Sequence, residues 1–336
     1  MNIVPSEIVE EKYFEQRQVR YNTELRLPYI WWQTYGRTVA GDKKRRHDRD
    51  DERPAGICID QNENEDTTIF YVIDNGVRKY VEGDQQGEII LDSARRDEEN
   101  ERGQSQTNFS YITMDREDGV LFVSDTGKNQ IQLLSLKSNN TNTIPQSIQL
   151  DYCPMGIFLS KEGDYLYVSD FDGGRILRYD RAHKNVAEKG KVVAGGNGKG
   201  SNLNQLHGPM QIYVDYEESI YIADSLNHRI MKWVKNGLEG EVVAGGNGRG
   251  YDENQLNTPN SVFVDRDGTI FITDTQNDRI VRWSKGGKSG SVIEGAGVWG
   301  SQPIQVSCPT DLAFDSNGSL YVSEGDHSRV QMFYAD

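Results

Sequence analysis

The chain has 336 residues, enough for one large domain or two smaller ones, and its 35% hydrophobic and 26% charged content is ordinary for a globular protein. Its 37 Lys+Arg against 52 Asp+Glu give a net charge of −15, which repels a phosphate backbone. No apolar run approaches the ~18 residues a membrane span needs, so neither nucleic acid nor the bilayer is the default partner.

The first twenty residues, MNIVPSEIVEEKYFEQRQVR, have neither the basic n-region nor the apolar h-region of a secretory signal, and the expected compartment is the cytoplasm. Triplets of the N-x-S/T type at Asn108, Asn139 and Asn317 arise easily by chance and carry little weight. Residues 1–27 show no repeat; they read either as one marginal helix stopped at Pro28 or as a disordered lead-in to a domain over 28–336. A strand-like RTVAG follows at Arg37–Gly41, then the run DKKRRHDRDDER at Asp42–Arg53. The basic cluster Lys43–Arg49 could be an import signal or a nucleic-acid patch, but acids interleave it, and a solvated loop is the preferred reading.

Beyond that point the chain repeats. VVAGGNGKGSNLNQLHGP at Val192–Pro209 has the look of a phosphate loop, yet it returns as VVAGGNGRGYDENQLNTP at Val242–Pro259. A nucleotide loop is normally singular, and Lys199 is followed by Gly200 where a P-loop needs Ser or Thr. Return at a fixed period marks a repeat architecture. The unit from Gln205 to Gly246 holds four short alternating or β-branched segments separated by polar or glycine-rich turns, hence four strands.

Three anchors align the copies. A proline opens the first strand at Pro54, Pro154, Pro209, Pro259 and Pro309, with Ser110 standing in for the second copy. An acid closes the second strand at Asp74, Asp125, Asp170, Asp224, Asp274 and Glu324, at spacings of 51, 45, 54, 50 and 50 residues. A basic residue opens the third strand at Arg78, Arg175, Arg229, Arg279 and Arg329, with Gln130 the exception. Six four-stranded units predict an all-β, six-bladed β-propeller. A solenoid is the alternative, but the last unit stops at RVQMFYAD without a fourth strand while RTVAG stands spare at the other end, so the N-terminal strand is expected to complete the last blade.

DSLNHRIMKW at Asp224 recurs as DTQNDRIVRW at Asp274 and EGDHSRVQMF at Glu324, and more loosely as DFDGGRILRY at Asp170 and DTGKNQIQLL at Asp125. This pattern resembles the NHL repeat over roughly Trp31 to Asp336. The resemblance implies a protein- or RNA-binding platform, as in tripartite-motif and other RING ubiquitin ligases, a sensor domain, or the scaffold of a peptide-amidating lyase. No RING is present, because three cysteines cannot supply the ligands for two zinc ions. A link to ubiquitin-ligase substrate recruitment therefore rests on analogy alone.

The acid–arginine pairs Asp170 with Arg175, Asp224 with Arg229, Asp274 with Arg279 and Glu324 with Arg329 could suggest acid–base chemistry, but recurrence in nearly every blade favours structural pairs that fix a turn. None of the five histidines follows a blade-opening proline, where the lyase resemblance would place channel ligands. Gln211, Asn260 and Asp311 are weak candidates for calcium, which asks for about 6–8 oxygens and several carboxylates; polar lining with water is the favoured reading, and no metal or cofactor is expected.

Asp60, Asp115, Asp215, Asp265 and Asp315 read as turn formers. Tyr80, Tyr179, Trp233, Trp283 and Phe333 read as blade-to-blade packing. Cys58, Cys153 and Cys308 fit free thiols, since equivalent positions across the ring cannot bridge.

If the first strand runs away from the connectors, the connectors and the second-to-third turns share one face. That face collects Phe171, Arg175, Asn227, His228, Tyr251, Asn277, Trp299 and His327. Aromatics with arginine are common interface hot spots, although Tyr251 and Trp299 could equally pack their own loops. The resulting reading is a monomeric, non-catalytic scaffold for a protein or peptide. A calcium-dependent hydrolase or lyase at the channel mouth is the alternative, and an RNA-binding propeller is a further one.

Overall fold

The computed structural model describes residues 36–41, 55–60, 67–74, 76–84, 87–92, 107–137, 146–182, 185–186, 189–295 and 306–335. Six antiparallel sheets follow one another in chain order. Blade 4 shows the plan: Pro209–Val214 innermost, then Ile220–Asp224, Arg229–Trp233 and, outermost, Glu241–Gly245. Blade 3 adds a two-residue strand, Asn185–Val186, folded back on the end of Arg175–Ala182. Each inner strand packs against those of both neighbouring blades, and that of blade 6, Pro309–Phe314, packs against Ile57–Asp60 of blade 1, so the sheets form a closed ring.

Closure follows the sequence expectation. Arg37–Ala40 is the outer strand of blade 6 and pairs with Arg329–Phe333, Arg37 opposite Met332 and Ala40 opposite Val330. The ends of the ring are thus joined by ladder hydrogen bonds rather than left as an open edge.

Each sheet is buried on both faces because each packs between two others. In blade 4 one face presents Ile212, Ile222, Met231 and Trp233 to blade 3, while the other presents Tyr221, Ala223 and Ile230 to blade 5. The recurrent aromatic of the third strand is buried in every blade that has one: Tyr80, Tyr179, Trp233, Trp283 and Phe333. The two indoles also satisfy their polar ends, Trp233 Nε1 donating to Gly237 O at 3.0 Å and Trp283 Nε1 to Gly287 O at 2.8 Å. Full burial of such side chains, roughly 2–3 kcal/mol each, is the main reason separate blades adhere.

The first-to-second-strand ladder is irregular just after its first pair in blades 2, 3, 4 and 6, and in blades 3, 5 and 6 the N–H at this point of the inner strand is taken up by a second-strand hydroxyl. Gly156 N donates to Ser169 Oγ at 2.7 Å, Ser261 N to Thr273 Oγ1 at 2.7 Å and Asp311 N to Ser323 Oγ at 2.9 Å. Blade 2 corrects the expected alignment by one residue. Its ladder opens on Phe109, which faces Asp125 as Pro154 faces Asp170, and Ser110 lies one place further in. In blades 4, 5 and 6 a left-handed residue precedes the proline, Gly208, Thr258 and Cys308 with φ of 61°, 54° and 46°.

Candidate binding face and channel

The second-strand acids organise the connector face. Asp224 and Asp274 are fully buried, and each accepts from the following asparagine and arginine: Asn227 Nδ2 at 2.8 Å and Arg229 Nε at 2.7 Å for Asp224, Asn277 Nδ2 at 2.8 Å and Arg279 Nε at 2.6 Å for Asp274. The other carboxylate oxygen accepts a connector N–H, from His207 at 2.7 Å and Asn257 at 2.6 Å. Burial pushes both carboxyls upward in pKa, and these hydrogen bonds oppose it.

The cations and amides then reach into the connector itself. Arg229 donates to the carbonyls of Ser201, Asn202 and Gln205, and Asn227 to that of Gly200. Arg279 and Asn277 repeat the pattern on Tyr251, Asp252, Gln255 and Gly250. Each connector closes on itself as well: Asn197 Nδ2 donates to Asn204 O and Gln205 Nε2 to Asn197 O. The string that looked like a phosphate loop therefore has much of its polar backbone and side-chain capacity spent internally.

The other pairs vary the theme. Arg175 contacts Asp170 at 2.8 Å, Arg329 contacts Glu324 at 3.1 Å, and Arg78 lies 3.7 Å from Asp74. In blade 2 two amides, Gln130 and Gln132, replace the guanidinium on Asp125.

Of the loop-face candidates, Asn227 and Asn277 are thus engaged in these clamps. His228 Nδ1 accepts from Thr258 N at 3.1 Å, tying blade 4 to blade 5, and burial lowers its pKa. His327 Nδ1 lies 2.9 Å from the Glu324 carboxylate. Tyr251 is half exposed and stacks on the Arg279 guanidinium, 4.4 Å from ring centre to carbon. Phe171 meets Leu226, a residue the sequence reading passed over, above Gly208 at the seam of blades 3 and 4. A Cβ on Gly208 would lie 2.8 Å from Leu226 and 2.9 Å from Phe171, so this crowding, added to a left-handed φ of +61°, is what calls for glycine here. Trp299, the cluster 43–49 and residues 1–27 lie outside the described residues.

On the axis the calcium candidates take part in hydrogen bonds within the chain, Asp311 and Gln211 through side-chain oxygens, Gln211 Oε1 accepting from Ile212 N at 3.1 Å, and Asn260 through its main-chain carbonyl. Asp311 is buried, and its carboxylate accepts from Ser261 Oγ of blade 5 at 2.6 Å, Leu312 N at 2.9 Å and Ile57 N of blade 1 at 2.9 Å. Burial pushes its pKa up to about 6 against the pull of those donors. Gln211 N and the Tyr111 hydroxyl both donate to Asn260 O, at 3.0 and 3.3 Å. Tyr111 is buried and reaches from blade 2 to blade 5 across the ring, so it plugs the channel at this level. Among the described residues no group of three His, Cys, Asp or Glu could hold a metal ion.

Residues 306–333, three strands of blade 6 with their acid and arginine, match the NHL repeat. The chain carries an NHL repeat in blade 6 of a six-bladed propeller. No curated protein sequence matches it. Among solved structures this NHL propeller is similar to a protein of unknown function from Bacteroides thetaiotaomicron, with a TM-score of 0.64 and 14% identity over 90% of this chain and 76% of that one. It is similar to the virginiamycin B lyase of Staphylococcus aureus (TM-score 0.53, 13% identity, 91% and 99% covered) and to the PQQ-bound aldose sugar dehydrogenase of Streptomyces coelicolor (TM-score 0.59, 11% identity, 89% and 97% covered). At such identities the likeness is one of fold.

Within the propeller no disulfide joins the described cysteines, and burial raises the pKa of Cys58 to about 12 and that of Cys153 above its ordinary value. No described helix is long and apolar enough to cross a membrane. Because Tyr111 makes one long hydrogen bond but fills the axis, Tyr111→Phe is expected to cost no more than about 1 kcal/mol in urea unfolding. A larger loss would show that the hydroxyl, rather than the ring, holds the channel closed.

Proposed function

We propose that this NHL propeller is a non-catalytic scaffold that engages a protein or peptide through its connector face. The observation that carries the reading is the apolar spot of Phe171 and Leu226 over Gly208, set on backbone that the acid–arginine–asparagine clamps hold in place. Tyr251 extends the same face, its ring oriented by Arg279. A surface fixed before contact loses little conformational freedom on binding, and aromatics beside guanidinium groups are typical interface anchors. The tripartite-motif ligases that carry NHL propellers suggest one class of partner, a protein presented for modification. The enzyme reading draws on Asp311, but its carboxylate already accepts three protein donors.

The test is chemical cross-linking in cell extract followed by mass spectrometry, comparing the native chain with Leu226→Ala/Tyr251→Ala. The scaffold reading expects a defined set of protein cross-links that disappears in the double variant while the melting temperature holds. Cross-links unchanged in the variant, cross-links to RNA alone, or one tightly held divalent metal per purified chain would each count against it.

A further inference from the structure

Blades 4 and 5 are near-copies, which makes a difference between them informative. At the end of the ring opposite the connectors, blade 4 carries Tyr216, Val234 and Leu238 where blade 5 carries Arg266, Ser284 and Lys288. The three are 54%, 52% and 91% exposed. The fold does not require them, because blade 5 builds the same turn without them: Gly237 N donates to Val234 O and Gly287 N to Ser284 O, both at 2.8 Å, and both indoles cap the turn alike.

The two turns of blade 4 lie side by side, joined by the Lys235 ammonium on the Glu218 carboxylate, and the Lys161 ammonium of blade 3 sits 3.5 Å from the Tyr216 ring centre. Around this apolar group Glu162, Glu217 and Glu239 are exposed and pair with no cation. Isolated exposed aliphatics are commonplace, but here three exposed apolar residues fall on the two joined turns of one blade end. Glu162, Glu217 and Glu239, next in sequence to Lys161, Tyr216 and Leu238, outnumber the Lys161 ammonium, the nearby cation not held by a carboxylate.

We propose that this end of blade 4 docks a basic amphipathic peptide segment of a partner protein. An apolar side chain of that segment rests on Tyr216, Val234 and Leu238, and flanking Lys or Arg residues face Glu162, Glu217 and Glu239. Apolar contact supplies the affinity, and the carboxylates select the sign of charge and steer the encounter. The surface is distinct from the connector face, so either can fail without the other.

The probe is a short fluorescein-labelled peptide with a Leu-Trp-Leu centre flanked by lysines, followed by fluorescence anisotropy on the full chain. The control peptide has the same centre flanked by glutamates. Saturable binding of the lysine peptide is expected, weakened at least about tenfold by Tyr216→Arg/Val234→Ser/Leu238→Lys and weakened by added salt. Those replacements are the residues blade 5 already tolerates; should the triple variant melt early, Leu238→Lys alone, at the most exposed position, carries the comparison. No saturable binding up to about 1 mM, equal affinity for the glutamate peptide, or equal affinity in the variant would overturn the proposal.

Discussion

Arg279→Ala is expected to destabilise the propeller by about 3–5 kcal/mol, the loss typical of removing one partner from a buried ion pair. The guanidinium is almost wholly buried, with Nε on Asp274 at 2.6 Å and its remaining donors on the carbonyls of Tyr251, Gln255 and Asp252 at 2.9, 3.0 and 3.4 Å. Truncation leaves a buried carboxylate facing only Asn277 and Asn257 and strips three connector carbonyls of a donor. Arg279→Lys should recover little of this, because a single ammonium cannot span four acceptors in a fixed fork. Arg175→Ala provides the contrast: that side chain is 34% exposed, and Asp170 is the acceptor it contacts. Urea unfolding should place Arg175→Ala well above Arg279→Ala in stability. If both variants lose less than about 1 kcal/mol, the arginines do not hold the connectors. The same variant bears on binding, since the Tyr251 ring rests on the guanidinium that would be removed.

The blade count and closure were legible because each anchor of the repeat answers a local requirement that recurs. A proline or its equivalent opens the inner strand, a buried acid closes the second, and a third-strand aromatic fills the space between sheets. RTVAG could be assigned to the last blade because blade 6 lacked an outer strand and the ladder supplies no other partner for Arg329–Phe333 on that side. What the repeat could not reveal are contacts between an anchor and a segment outside its own copy of the pattern. Asn227 and Asn277 read as variable surface residues because their acceptors, Gly200 O and Gly250 O, lie in connectors 27 residues upstream. The signal was present in the pairing of the NQL connector with the asparagine of the turn, both found only in blades 4 and 5. Tyr111 was unreadable for a different reason. It occupies a position that is Gly56, Gly156, Gln211, Ser261 or Asp311 in the other blades, and only the geometry of the ring turns that variety into a plug reaching Asn260 and a carboxylate bridging three blades.

Glu294 yields the second large effect, and its sign depends on pH. In the outer strands of blades 3 and 4 the residue facing Ile176 or Ile230 is Ala194 or Ala244; in blade 5 the residue facing Ile280 is Glu294, which is 6% exposed. Burial alone pushes its carboxyl up to about 8 from an ordinary 4.5. The folded chain therefore binds a proton that the unfolded chain releases across that interval, and folding stability contributed by this group falls as pH rises through it, by about 1.4 kcal/mol per pH unit. Glu294→Ala restores the residue blades 3 and 4 carry and removes the titration. Near pH 4.5 the variant should be no more stable than the native chain, and less so by whatever cavity truncation leaves. At pH 9 it should be the more stable by a few kcal/mol. The cavity contributes equally at both ends, so the measurement that decides is the difference between the two urea unfolding free energies as a function of pH. A difference that widens from acid to alkali identifies Glu294 as a buried, unpaired carboxyl whose ionisation works against the fold. Two parallel curves would mean that the carboxylate is solvated or paired as it ionises, and that blade 5 accommodates the charge at no cost.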